Sequence, residues 1–166
     1  ESRTFQLTGS AHDRSVMRSV AEDGYYAPDV VWFLRRIMEP DWVVLDVGAN
    51  VGALALVVAG FVPQGRIHAF EPAPQNFAYL ERNIAVNDVE NVDAHQIALS
   101  DAAGEVVMSF DPDFGAGAHV STRVAEGEQA VVRAVRLDDW ASDLSRLDLV
   151  KLDVEGHELP VLRGAV

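Results

Sequence analysis

The sequence predicts a doubly wound, Rossmann-like α/β fold, with a mostly parallel sheet, helices on both faces and one inserted β-hairpin. Apolar runs rich in β-branched residues alternate with segments of helical periodicity, which favours a parallel sheet. One of these runs stops at a carboxylate and opens into glycines, a pattern typical of a strand, tight loop and helix start beside a ligand. Two later segments alternate apolar and polar residues, which indicates antiparallel strands.

Composition limits the classes of protein to which this chain can belong. Its 166 residues, 49% hydrophobic and 23% charged, suit one globular domain, in which residues 1–40 form a helical segment packed on residues 41–166. The absence of cysteine excludes disulfides and makes a cytoplasmic location the default expectation. The net charge of -13 argues against nucleic-acid partners, and no apolar run is long enough to span a membrane. The oligomeric state stays open.

The central stretch, residues 43–52, reads Val-Val-Leu-Asp-Val-Gly-Ala-Asn-Val-Gly. Its valines and leucine suit a parallel strand buried on both faces, and an apolar helix is expected over residues 51–62. Gly48 and Gly52 allow a tight turn and close approach of the backbone to a ligand. This geometry predicts a cofactor site.

Glycine spacing distinguishes three kinds of cofactor loop. A phosphate-binding P-loop needs a Gly-Lys-Ser/Thr ending, which is absent. A dinucleotide loop needs glycines at its first, third and sixth positions, which here hold Gly48, Asn50 and Ala53. What remains is Asp-x-Gly-x-Asn-x-Gly, in which Asp46 could hold a cationic amino group such as that of S-adenosylmethionine (SAM).

The remaining elements follow from periodicity and from turn residues. Apolar faces at helical spacing predict early helices, Pro40 ends the second of them, and Asp138 is expected to cap a later helix. The predicted helices cover residues 13–22, 28–39 and 72–87, and the predicted strands cover residues 66–70, 91–97, 105–110, 130–136 and 147–153.

Candidate functional residues lie at the carboxyl ends of the predicted strands. Glu71 follows Asp46 by 25 residues (71 minus 46), where nucleotide-binding α/β units place a carboxylate for ribose hydroxyls. Ile97, Ala98 and Leu99 could meet an adenine edge. Lys151 and Asp153 share one face of a strand expected to be buried, so we expect them to be paired or to face a site.

Less specific candidates have ordinary structural interpretations as well. Tyr25 and Tyr26 could close over the cofactor, although packing against the core is the more frequent role of such residues. The long loop of residues 111–129 could line the acceptor site through His119, although a surface histidine is the simpler interpretation. Asp153, Glu155 and His157 alternate like metal ligands, but no Cys/His cluster supports them and no metal is predicted. For His157 a helix start is preferred.

Three motifs in order resemble those of the FkbM family of SAM-dependent methyltransferases. They are Leu-Asp-Val-Gly-Ala-Asn-Val-Gly at residues 45–52, Ala-Phe-Glu-Pro at residues 69–72 and Leu-Val-Lys-Leu-Asp-Val-Glu-Gly-His-Glu-Leu at residues 149–159. The resemblance extends from about Tyr25 onward. It implies a class I methyltransferase sheet, with further strands expected beyond Val166.

The resemblance implies SAM as the cofactor and O-methylation of a small-molecule or sugar hydroxyl as the reaction. Catalysis is assigned to Asp153 and Glu155. Cofactor binding is assigned to Asp46, Gly48, Ala49, Asn50, Gly52, Glu71, Pro72, Ile97, Ala98, Leu99 and Asp153. A nicotinamide-dependent oxidoreductase and a noncatalytic SAM-binding fragment remain alternatives.

Overall fold

The computed structural model describes residues 4–110, 119–120 and 128–166. Its helices are α1 (Val16–Asp23), α2 (Pro28–Ile37), α3 (Ala53–Ala59), α4 (Pro74–Val86), α5 (Leu137–Trp140) and α6 (Glu158–Arg163). Its strands are β1 (Val43–Val47), β2 (Arg66–Phe70), β3 (Val92–His95), β4 (Ala98–Ser100), β5 (Gly104–Phe110), β6 (His119–Val120), β7 (Glu128–Arg136) and β8 (Leu149–Leu152).

The main sheet is parallel throughout, with strand order β3-β2-β1-β8. The chain runs outward from β1 to β3 and then returns to place β8 on the other side of β1. This reversal makes the carboxyl ends of β1 and β8 the topological switch point, where open α/β sheets bind ligands. The predicted doubly wound α/β fold is confirmed.

Helices cover both faces of this sheet because β1 is apolar on both sides. Val44 packs into a core cluster formed with α2, α3 and α4. Leu45 and Val47 pack into a second cluster that includes Leu137 of α5 and Val161 of α6. Strand β8 borders the sheet in the described part of the chain, and Val150 is 40% exposed there.

A second sheet, of order β4-β7-β5-β6, contains the predicted hairpin. Strands β5 and β7 pair antiparallel, which confirms that prediction, and β4 pairs parallel with β7. The sequence predicts one continuous third strand over residues 91–97, and the predicted end of this strand is wrong. It stops at His95, because the chain then crosses to the second sheet, where Ala98 pairs with Ala134. Most of the predicted loop at residues 111–129, including the side chain of His119, lies outside the described residues.

Capping groups explain why several helix boundaries differ from prediction. Helix α1 begins at Val16 rather than at Asp13, because the Asp13 carboxylate accepts backbone hydrogen bonds from Ser15 and Val16, at 2.8 and 3.0 Å. The predicted Asp138 cap is wrong. Arg136 occupies the cap position of α5, and Asp138 lies in the first turn, 3.6 Å from the Arg136 guanidinium. None of the described helices has the length and apolar character needed to cross a membrane.

Candidate functional site

A cavity opens at the carboxyl ends of β1, β2 and β8, at the topological switch point. A water-sized sphere can occupy about 90 Å³ of it, and its mouth is open to solvent. Nine of the eleven residues predicted to bind cofactor line it, namely Gly48, Ala49, Asn50, Glu71, Pro72, Ile97, Ala98, Leu99 and Asp153. Asp46 and Gly52 do not line it. The structure therefore brings most of the predicted site together.

The loop of residues 48–52, here called the glycine loop, forms the floor of the cavity. Gly48 and Gly52 have φ values of 79° and 86°, and Asn50 has a φ of 53°, so its turns use residues that tolerate left-handed backbone. The amides of Gly48 and Ala49 both donate to the Phe70 carbonyl oxygen at 2.9 Å. A side chain on Gly48 would overlap the backbone carbonyl oxygen of Asp153. The glycine is thus required by close contact with the chain that follows β8.

Glu71 is buried at the tip of β2 and is bound to the glycine loop. Its Oε2 accepts a hydrogen bond from the Asn50 amide, and its Oε1 accepts one from the Ala73 amide, both at 2.9 Å. Burial raises the pKa of Glu71 to about 7, although these two amides act in the opposite direction. The carboxyl group is therefore held rigidly and titrates near neutral pH.

Asp46 is paired within the fold rather than aimed into the cavity. Its Oδ1 lies 2.9 Å from Lys151 Nζ on the neighbouring strand, where the two residues are in register. Lys151 Nζ also donates to the Gly48 carbonyl oxygen at 2.8 Å. Burial alone would lower the pKa of Lys151, but Asp46, together with Asp153 and Tyr26, acts in the opposite direction, and that pKa lies above its ordinary value. This pair joins β1, β8 and the glycine loop.

The segment of residues 153–157, here called the acidic loop, forms the opposite side of the mouth. The expectation that Asp153 lies at the end of a buried strand is wrong, because β8 is an edge strand in the described chain and the Asp153 side chain is 57% exposed. Asp153 Oδ2 lies 4.0 Å from Lys151 Nζ, whereas Asp46 Oδ1 lies 2.9 Å from the same nitrogen. Glu155 also lines the cavity and has a φ of 50°. Both residues predicted to be catalytic thus line the same cavity.

His157 combines the predicted helix start with a place in the cavity wall. It occupies the cap position of α6, as expected. Its ring Nε2 lies 3.0 Å from the hydroxyl oxygen of Ser100, the residue that follows the cavity-lining residues Ala98 and Leu99. Burial lowers the pKa of His157, which favours the neutral ring. In the described ranges, no three histidine or carboxylate side chains are grouped so as to hold a metal.

Several cavity residues were not assigned to the site by sequence reasoning, and four of them come from segments distant in the sequence. Met108 of β5 enters through the second sheet, and Ser15, Val16 and Tyr26 come from the N-terminal helical segment. Only Tyr26 had a sequence signal, as a loop aromatic between two helices. The others reach the cavity through folding of distant segments, which their local sequence does not encode.

Comparison with known proteins identifies relatives for most of the chain. The family model described as "Methyltransferase FkbM domain" matches residues 46–166. Methyltransferase sdnD of Sordaria araneosa is 35% identical, over 73% of this chain and 59% of its own length. The 31-O-demethyl-FK506 methyltransferase FkbM of Streptomyces tacrolimicus is 34% identical, over 80% of this chain and 63% of its own length.

A third relative is the 2-O-methyltransferase NoeI of Sinorhizobium fredii, 28% identical over 76% of this chain and 58% of its own length. The chain therefore spans about 60% of the length of these curated relatives.

Proposed function

Since this chain belongs to the methyltransferase FkbM domain family, we propose that it binds SAM and contributes to the methylation of a hydroxyl group on a small molecule or sugar. One observation carries this proposal. The buried Glu71 accepts a hydrogen bond from the Asn50 amide of the glycine loop, and both residues line one cavity. Two of the relatives carry O-methyl transfer in their names, which supports oxygen as the acceptor atom.

The cavity offers a partner for each part of the proposed cofactor. The backbone of the glycine loop would receive the methionine part, Glu71 and Pro72 the ribose, and Ile97, Ala98 and Leu99 the adenine. Each Glu71 oxygen accepts one backbone hydrogen bond, and a carboxylate oxygen can accept a second, which leaves capacity for ribose hydroxyls. Asp46 would act indirectly, by holding Lys151 against the Gly48 carbonyl oxygen.

SAM would supply an electrophilic methyl group, so the protein needs mainly to align the acceptor oxygen and to receive its proton. Asp153 and Glu155 are the proposed bases, because both line the cavity and are exposed, which leaves them accessible to an incoming acceptor. The exposed fraction of Asp153 fits this role better than a purely structural pairing with Lys151. A cytoplasmic location and the lack of nucleic-acid partners belong to the same proposal, supported by the net charge of -13.

Calorimetric titration with SAM, S-adenosylhomocysteine (SAH) and NAD tests the cofactor assignment. We expect heat with the first two ligands and none with NAD, because the glycine spacing does not fit a dinucleotide. A folded sample that binds NAD and neither SAM nor SAH would support the oxidoreductase alternative.

The base assignment is tested with Asp153→Asn in a methyltransferase assay on hydroxylated metabolites with the full-length protein. As a general base, Asp153 should leave SAM affinity near normal while turnover falls by about two to four powers of ten. As a cofactor ligand, it should weaken SAM binding when changed. If both affinity and rate stay within about twofold, well under 1 kcal/mol, neither role is correct.

A further inference from the structure

One wall of the cavity comes from outside the segment that matches the family. Ser15, Val16 and Tyr26 line the cavity, yet all three precede residue 46, where the family match begins. Val16 is buried at the start of α1, and its backbone amide donates a hydrogen bond to the Asp13 carboxylate. The N-terminal helical segment is thus built against the site and covers one side of it.

Two adjacent tyrosines in this segment have opposite environments. Tyr25 is 57% exposed and does not line the cavity, whereas Tyr26 is half-buried and does. The next residue, Ala27, has a φ of 47°, a left-handed conformation that costs an alanine about 1–2 kcal/mol. Pro28 then begins α2 with its fixed φ. This strained turn holds Tyr26 toward the cavity, and strained backbone of this kind is found preferentially where a side chain must be positioned for function.

Tyr26 lines the same cavity as Gly48, Lys151 and Asp153. Burial and the nearby Asp153 carboxylate raise the pKa of the Tyr26 phenol, while Lys151 acts in the opposite direction. Lys151 is the residue that binds the Gly48 carbonyl oxygen, and Asp153 contacts the same glycine through its backbone. Tyr26 therefore shares a cavity with the part of the glycine loop proposed to receive the methionine part of SAM, and its phenol stays neutral.

We propose that Tyr26 closes the cofactor site by packing against the methionine end of bound SAM. The inference rests on the proposed function, since it assumes that SAM is the ligand. An aromatic face attracts a cation such as a sulfonium, and the neutral hydroxyl can donate to the cofactor carboxylate. Tyr26 would act as a cofactor-binding residue supplied by the N-terminal segment, with no part in proton transfer.

Calorimetric titrations of Tyr26→Ala, Tyr26→Phe and Tyr25→Ala with SAM and SAH test this inference. Tyr26→Ala should weaken SAM binding about tenfold, the effect of one good aromatic contact, and should weaken SAH binding less because SAH has no sulfonium charge. Tyr26→Phe should keep most of the affinity. Tyr25→Ala is the matched control, and its affinities should stay within about twofold of those of the unchanged protein.

Each other outcome overturns the inference in a recognisable way. Unchanged SAM affinity in folded Tyr26→Ala would mean that the tyrosine does not touch the cofactor. Equal weakening in Tyr25→Ala and Tyr26→Ala would point to general loosening of the N-terminal segment instead of a contact. If the unchanged protein binds neither SAM nor SAH, the proposed function fails and this inference falls with it. Circular dichroism of each variant separates loss of binding from loss of folding.

Discussion

The glycine loop and the acidic loop face each other across one cavity, but they are built differently. The glycine loop is bound to its surroundings through the Phe70 carbonyl oxygen, Glu71 and Lys151. It uses glycine and asparagine at its left-handed positions. The acidic loop places exposed carboxylates at the mouth and has a glutamate, Glu155, in left-handed backbone. The first loop is suited to fix a ligand, and the second is open to an arriving one.

The choice of residue at the left-handed positions supports this contrast. A glycine there makes the turn possible at little steric cost, so Gly48 is explained by the fold alone. A glutamate there is strained, and strained residues of this kind cluster at functional sites. Substitutions in the two loops should therefore have opposite effects on stability.

The largest effect is expected from Gly48→Ala. The new methyl group would overlap the Asp153 carbonyl oxygen, in a backbone conformation that alanine disfavours. We expect unfolding free energy to fall by about 3 kcal/mol or more, together with loss of SAH binding. Urea denaturation and SAH titration measure the two quantities. Gly60→Ala is the control, because Gly60 has a φ of -71° and only ordinary contacts. Equal stability of the two variants would contradict the proposed close contact.

Lys151→Met should have the next largest effect, because it leaves the buried Asp46 carboxylate without its ion-pair partner. Breaking such a pair costs about 3 kcal/mol, toward the lower end of the range for buried pairs because Lys151 is partly exposed. Chemical denaturation checks the loss. The double variant Asp46→Asn, Lys151→Met should recover much of the stability, since no charge is then left unpaired. If the double variant does not recover stability, the loss would instead come from the missing hydrogen bond between Lys151 and the Gly48 carbonyl oxygen.

Glu71 should make both stability and SAH affinity depend on pH, in opposite directions. Its folded pKa of about 7 exceeds its ordinary value of 4.5, so the folded chain holds the proton between these values. Stability should therefore fall as pH rises from about 4.5 to 7, by up to about 3 kcal/mol at about 1.4 kcal/mol per pH unit. Thermal denaturation at several pH values measures this slope.

SAH affinity should instead rise with pH, because ribose hydroxyls donate to the ionised carboxylate. Below the pKa near 7, affinity should fall by up to about tenfold per pH unit. Titrations between pH 6 and 8 measure the change. Glu71→Gln cannot titrate and should remove this component of the pH dependence. If the variant keeps the full slope, another group is responsible for it.

The smallest effect is expected from Glu155→Gly in the acidic loop. Glycine adopts the φ of 50° without strain but loses more chain entropy on folding, so stability should rise by no more than about 1 kcal/mol. Thermal denaturation measures this gain, and a methyltransferase assay tests whether it is accompanied by lower turnover. A stability loss of the size expected for Gly48→Ala would show that the two loops do not differ in the way proposed.

Local sequence patterns were sufficient to predict the strand–loop–helix unit, the position of Glu71 and nine residues of the cavity wall. Strand β2 spans Arg66–Phe70 as predicted, because its apolar residues and flanking turn residues act locally. Glycines with positive φ likewise carry their own signal. The hairpin was predictable for the same reason, since alternation along each strand reflects one buried face.

The pairing of charged groups and the approach of distant segments to the site depend instead on contacts between elements far apart in the sequence. Asp46 meets Lys151 because β1 and β8 lie side by side in one register, a fact that neither strand encodes alone. The same arrangement leaves Asp153 at an exposed edge, although the composition of its strand suggested burial. Ala98–Ser100 leaves the main sheet because β7 offers it a partner, and Tyr26 reaches the cavity because the N-terminal helical segment forms part of the cavity wall. Partner choice depends on which surfaces meet in the folded chain, whereas local patterns specify only the type of each element.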